Sequence, residues 1–258
     1  MVTIHEQHDT TDSREVARLK GDFTVLRVCL LASVAYAGLG LVGFAGFAGF
    51  WPPPGPDLSA AEIAGYFPEH NTSLRIGLVL MAMCGPFYFV WSAAVSRIIS
   101  RMEGPFGILS TIELLGGLLT GLVTFTPAVI WLTAAYRADV SPDTTVQTLY
   151  DYGWFFFDAT FVCSALQQVA LAVAIMRDDR PQPLMPKWVA WVALLSAGTY
   201  LPLTLIAFFH SGPLAWNGLL CFWVVFVGFF VMVFAVTATG WPALRRIEQE
   251  LLDAGSIR

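Results

Sequence analysis

The chain has 258 residues, 56% of them hydrophobic, with 14 Lys and Arg against 19 Asp and Glu and a net charge of −5. With no basic patch outside the flanks of the apolar runs, nothing in the composition points to nucleic-acid binding. The short segments between those runs leave no room for a separate soluble domain. Cys29, Cys84, Cys163 and Cys221 fall in four different apolar runs without a CxxC pair, which reads as small buried hydrophobes rather than disulfide or thiol-redox chemistry.

Residues 1–22 form a polar tail carrying Glu6, Asp9, Asp12 and Glu15. The tail is too long and too acidic for a signal-peptide n-region, and the next apolar run exceeds the roughly 7–15 residues of an h-region. The expectation is a retained first span, with the tail irregular up to the mid-teens. Six apolar runs follow, at about 24–49, 74–97, 106–133, 152–176, 187–209 and 214–239. A helix of about 20 apolar residues crosses a hydrocarbon core, and the runs lack the alternation of barrel strands.

Within the first run, Gly40, Gly43, Gly46 and Gly49 interleave with Phe44, Phe47 and Phe50. Small residues let helix backbones approach closely; a flexible, cleft-lining end is the alternative. WPPPGP then stops the helix. Ser59 and Glu62 have capping-box spacing, and Ala60, Ile63, Ala64 and Phe67 recur at helical intervals, predicting a short amphipathic helix. MEGPFG is a turn after the second run. Ser141-Pro142 reads as an N-cap with proline at the first helical position, and Val146, Leu149 and Tyr150 give that helix an apolar face. RDDRPQPLMP and His210–Pro213 are further turns. Gly85-Pro86, Pro127 and Pro202 are expected to interrupt their spans, and Gly117-xxx-Gly121 matches a helix-packing motif. In LRRIEQELL, Leu244, Ile247 and Leu251 share one face, the pattern of an interfacial helix.

Basic residues sort by side. Arg14, Arg18, Lys20, Arg27, Arg97, Arg101, Arg177, Arg180, Lys187, Arg245, Arg246 and Arg258 fall in alternate polar segments; only Arg75 and Arg137 fall in the others. This is the positive-inside pattern. The expected fold is an all-α integral membrane protein: a six-transmembrane-helix bundle with both termini cytoplasmic and short amphipathic surface helices in the first two exterior loops. Its parts are the tail 1–22, a transmembrane domain 23–242 and a C-terminal amphipathic helix 243–258, in the plasma membrane.

Ionisable groups inside spans are costly and therefore candidates for function. Asp158 lies about two turns into the fourth span and Glu113 about two turns into the third. Asp151 shares a helix face with Asp158, with Trp154 and Phe155 between them. His210 and Asn217 bracket the last exterior turn. Asp158, Glu113 and His210 are the candidate acid–base groups. Asp151, Asn217, Arg75, Arg137 and Trp154 are the candidate ligand-binding groups of an outer-facing polar pocket, walled by Tyr150, Tyr200 and Trp216. The plain alternatives are an Arg75–Asp158 ion pair, a hydrogen bond from Gln167 or Gln168 to Glu113, and an interfacial aromatic belt.

No metal site and no cofactor are expected: facing intramembrane histidines are missing, as are HExxH, GxSxG and Walker motifs. Three functions fit: binding or converting a hydrophobic small molecule or lipid; acting as an accessory or scaffolding subunit of a larger membrane complex; or serving as a small oligomeric transporter. The expected partners are membrane lipids, with a homo-oligomer or companion membrane subunit also open, and no nucleic acid.

Overall fold

The computed structural model describes residues 4–104 and 106–255, with side chains from Glu15 to Ala254 within those limits. Arg14, Arg258, Glu6, Asp9, Asp12, His5, His8 and Pro105 lie outside the described side chains. The described residues form helices and no strands, and six helical stretches are long and apolar enough to cross a membrane: Glu15–Phe47, Asn71–Ser100, Ile108–Tyr136, Asp143–Met176, Lys187–Phe208 and Leu219–Ala254.

Helix α1 spans Ile4–Leu41. The tail expected to be irregular is therefore helical from Ile4. It holds neither Gly nor Pro before Gly21, so nothing stops the span's helix from extending through Glu, Gln, Arg, Ala and Leu. A π-helical turn, Val42–Phe47, ends the first span. In the loop that follows, the Pro54 carbonyl accepts from Tyr150 Oη at 2.8 Å and from Trp216 Nε1 at 3.0 Å. Helix α2, Ala60–Glu69, has Ser59 as N-cap with both capping-box bonds made: Glu62 N–H to Ser59 Oγ, and Ser59 N–H to Glu62 Oε2 at 2.8 Å.

Helices α3, Asn71–Ser100, and α4, Ile108–Tyr136, run unbroken through Pro86 and Pro127. Neither proline interrupts its span. The two helices meet backbone to backbone, since a Cβ on Gly85 would lie 2.9 Å from the Gly121 carbonyl and one on Gly121 3.0 Å from the Gly85 carbonyl.

Helix α5, Asp143–Ala159, begins after Pro142; Ser141 is not the N-cap, and no side-chain cap is made. The amphipathic segment expected there is the first part of the fourth span itself. That span breaks at Thr160–Phe161 and resumes as α6, Val162–Met176. Helix α7, Lys187–Gly198, gives way to a 3₁₀ segment, Leu201–Phe208, with Pro202 in its first turn. A second π-helical turn, Leu219–Val224, leads into α8, Val225–Gly255, one continuous helix that includes LRRIEQELL.

The spans pack as a ring in chain order: α1 on α3, α3 on α4, α4 on α5 and α6, α6 on α7, α7 on α8, and α8 back on α1. One half of the interior is mainly aliphatic, built around Leu30, Ile98, Ile175 and Val236 with Tyr36, Tyr88 and Trp91 among them. The other is aromatic, built around Phe44, Phe50, Trp131, Tyr150, Trp154 and Trp216. At the aliphatic end, Arg27 pairs with Glu248, Arg180 donates to the Arg101 carbonyl at 2.6 Å, and Arg246 donates to the Pro183 carbonyl at 3.1 Å. These contacts tie the helix ends of four basic segments together.

Candidate functional site

A regular helix satisfies its own backbone and presents only side chains. Where a span is broken, neighbouring groups must take over, which is why broken membrane helices occur around cavities. Four spans here are irregular, and residues in or next to each irregular segment line one cavity of about 100 Å³. Phe44 comes from the first π turn, Asp158 and Phe161 flank the α5–α6 break, Tyr200 and Leu203 come from the start of the 3₁₀ segment, and Val225 and Phe226 follow the second π turn. Such a volume admits about three waters at liquid density, or one compact organic group.

The cavity wall is mostly apolar and aromatic. Among its lining residues Asp158 is the one carboxylic acid, and none is Lys, Arg or His. Asp158 is 4% exposed, and its Oδ2 has no hydrogen-bond partner among the described residues. The hydroxyls around it are already engaged. Tyr36 Oη and Thr124 Oγ1 are 3.1 Å apart, Thr120 Oγ1 and Ser164 Oγ 2.9 Å, and Tyr200 Oη accepts from Gln168 Nε2 at 2.6 Å.

Glu113 belongs to a neighbouring buried network rather than to the cavity wall. Its Oε1 accepts from Gln167 Nε2 at 2.9 Å and from Ser92 Oγ at 3.0 Å. Gln167 Oε1 in turn accepts from Tyr88 Oη at 2.9 Å and Thr120 Oγ1 at 3.3 Å. Thr120 joins this network to the cavity. Glu113 thus holds Gln167, which holds a cavity hydroxyl; Gln168, one residue on, turns to Tyr200.

The other candidate residues do not converge on Asp158. Arg75 donates from Nη2 to the carbonyls of Ala135 and Tyr136, at 2.8 and 3.3 Å, and lies over the Tyr136 ring. It caps the C-terminus of α4, where a cation is favoured by free carbonyls and the helix dipole. The expected Arg75–Asp158 pair is not formed. Arg137 is exposed and also lies over the Tyr136 ring. His210 is exposed and interacts electrostatically with half-buried Asp151. Asn217 places its amide against Gly55 in the first long loop. Trp154 is fully buried, stacked on Trp216 with ring centroids 6.1 Å apart, and its Nε1 has no hydrogen-bond partner among the described residues. Phe155, 37% exposed, meets the Trp216 ring edge to face with centroids 6.4 Å apart.

Sequence reasoning missed the hydroxyl lining: Tyr36, Thr120, Thr124 and Ser164. A signal was present. Glu113, Thr120 and Thr124 recur on one face of α4 with Gly116 and Gly117, and all five are buried. A polar stripe at helical spacing inside a span marks a protein-facing side. No cluster of three or more His, Cys, Asp and Glu suited to a metal ion occurs among the described residues.

Chemically, the arrangement offers an unpartnered carboxyl oxygen on a residue in the wall of an aromatic cavity, with one lining hydroxyl, Thr120, linked through Gln167 to a second buried carboxyl. No family model, curated protein or solved structure matches this chain.

Proposed function

We propose that this chain is a plasma-membrane protein with both termini in the cytoplasm, and that it binds a hydrophobic small molecule or lipid in the cavity beside Asp158. The orientation is supported by the basic residues, which gather at the α1 and α8 terminal end of the bundle as the positive-inside bias requires. On this orientation α2 and the Pro54 loop lie on the exterior face. The observation that carries the binding reading is the unpartnered Asp158 oxygen in a cavity bounded by four irregular spans. A polar group left without a partner in the membrane interior is costly, and a bound molecule supplies the missing partner.

The test uses the full chain purified in lipid nanodiscs. Small molecules retained by the wild-type chain are extracted and compared by mass spectrometry with those retained by Val123→Phe, which fills the cavity from its half-buried wall. The reading predicts an apolar molecule enriched over empty nanodiscs and depleted in the variant. Equal retention by both proteins refutes it.

Transport is a second reading, favoured by the same breaks. Discontinuous helices around a site near the middle of the bundle are the usual construction of secondary transporters. Uptake or efflux of the retained molecule by proteoliposomes, lost in Val123→Phe, distinguishes transport from binding alone.

A further inference from the structure

The cavity's chemistry narrows the ligand class, and this step rests on the binding reading above. The lining hydroxyls already hold partners: Tyr36 with Thr124, Thr120 with Ser164, and Tyr200 with Gln168. Of the lining hydroxyl and carboxyl groups, Asp158 is the one with a buried oxygen, Oδ2, that has no partner among the described residues; in its ionised form it only accepts. A ligand that meets the ionised carboxyl must bring the donor. A carboxylate or phosphate ligand would meet the Asp158 carboxyl with no cation in the wall to offset it. A neutral donor would leave an ionised Asp158 uncompensated. A protonated amine supplies both a donor and the missing positive charge, and a charge-assisted hydrogen bond is the stronger kind.

The walls suit the same ligand. Phe44, Phe226 and Phe229 line the cavity with Tyr36 and Tyr200, and their ring faces attract a cation where water is excluded. The other titratable groups at the cavity are Tyr36, Cys84 and Tyr200, with Cys221 near Asp158; none of these carries positive charge in either protonation state. We infer that the cavity is a site for a lipophilic organic ammonium, with Asp158 as its counter-ion and the surrounding aromatic rings enclosing its apolar body.

The test measures equilibrium binding of benzylammonium, benzyl alcohol and phenylacetate to the full chain in nanodiscs, with empty nanodiscs as the partition control. The wild-type chain is expected to bind benzylammonium at least about tenfold more tightly than benzyl alcohol, and phenylacetate not measurably. Asp158→Asn keeps the volume; it is expected to abolish the preference for the cation while changing benzyl alcohol binding less than about twofold. Benzyl alcohol binding as well as benzylammonium to the wild-type chain overturns the inference but leaves the cavity reading standing. So does unchanged benzylammonium binding in Asp158→Asn. Binding of no probe above the empty-disc level, or binding unaffected by Val123→Phe, overturns the cavity reading itself. The wild-type comparison needs no variant, so the outcome stands even if Asp158→Asn folds poorly.

Discussion

Replacing Gly43 with alanine tests whether the end of the first span is fixed by backbone contact. A Cβ there would lie 2.5 Å from the Gly77 carbonyl oxygen and 3.0 Å from both Leu80 Cβ and Met81 N. A carbon and a carbonyl oxygen ordinarily meet at about 3.3 Å, so α3 and the π turn must separate by roughly 0.8 Å at this crossing. The neighbours are mainly backbone and cannot rotate aside, which places the cost toward the upper part of the ~1–3 kcal/mol range for overpacking. Gly77→Ala meets the same crossing from the other side, with Ala48 N at 2.5 Å and Phe47 Cβ at 3.0 Å, and should cost a similar amount. Because one separation relieves both clashes, the double variant should cost less than the sum of the singles. Gly46 has nothing within 4 Å of its Cβ position, so Gly46→Ala should stay within about 0.5 kcal/mol of the wild type. Denaturant unfolding of the three single variants and the double variant in micelles gives the comparison. Equal loss in Gly46→Ala and Gly43→Ala, or a neutral Gly43→Ala, would refute the reasoning.

The two serines once read as N-caps should behave differently. Ser59→Ala removes a bonded cap and should cost about 1 kcal/mol, whereas Ser141→Ala, at a position with no cap bond, should change stability by less than about 0.5 kcal/mol; unfolding curves in micelles separate them. The Glu62 carboxyl is held below its ordinary value of 4.5 by hydrogen bonds from the Ser59 hydroxyl and the Ser59 backbone N–H. A depressed folded value means the bond stabilises above pH 4.5 and is lost as pH falls through the lower folded value. Hydrogen exchange in the first turn of α2 should therefore quicken below that point in the wild-type chain, and should show no such step in Glu62→Gln. Tyr150→Phe removes one of the two donors to the Pro54 carbonyl and should cost ~0.5–1.5 kcal/mol, with faster exchange across residues 51–58 as the local readout.

The spans were legible in the sequence because apolar length is a property of the segment itself, and the Ser59–Glu62 cap because both partners lie within one turn. The breaks were not. Pro86 and Pro127 look like interruptions, yet their helices run straight through them, while the real break at Thr160–Phe161 carries no proline or glycine. Whether a membrane helix breaks depends on neighbouring groups that take over its backbone bonds, and those neighbours are distant in sequence. Asp158 stood out because charge inside an apolar run needs no tertiary information to be noticed. Its surroundings did not: Arg75 was the nearest cation by topology, but it is drawn to the carbonyl end of α4. The hydroxyls that do line the cavity come from α1, α4, α6 and the Tyr200 junction, and only their shared face on α4 was readable.

Glu113 was a candidate acid–base group on the same grounds as Asp158, and the two should now part company. Glu113 is fully buried with both its bonds on Oε1, from Gln167 and Ser92, and none on Oε2. Glu113→Gln keeps that acceptor and nearly the same volume. It replaces a carboxyl oxygen that had no partner with an amide group that has none either, so stability should move by less than about 1 kcal/mol. If Glu113 is ionised, the variant also removes an uncompensated buried charge, which shifts the balance toward stabilisation. Glu113→Ala removes the acceptor and leaves a cavity. The Gln167 amide and the Ser92 hydroxyl are then left with one weak 3.5 Å contact to each other and another from Ser92 to the residue-113 carbonyl. Each unsatisfied group costs ~1–3 kcal/mol, so the alanine variant should lose at least about 2 kcal/mol. Release of Gln167 also loosens Thr120 and, through it, Ser164 at the cavity wall, so ligand retention should fall in the alanine variant and survive in the glutamine one. Asp158→Asn should show the reverse pattern, with cation binding lost and stability largely kept. If Glu113→Gln proves as damaging as Glu113→Ala, then the carboxylate charge itself is what matters at position 113, and its role as the hydrogen-bonded anchor of Gln167 is wrong.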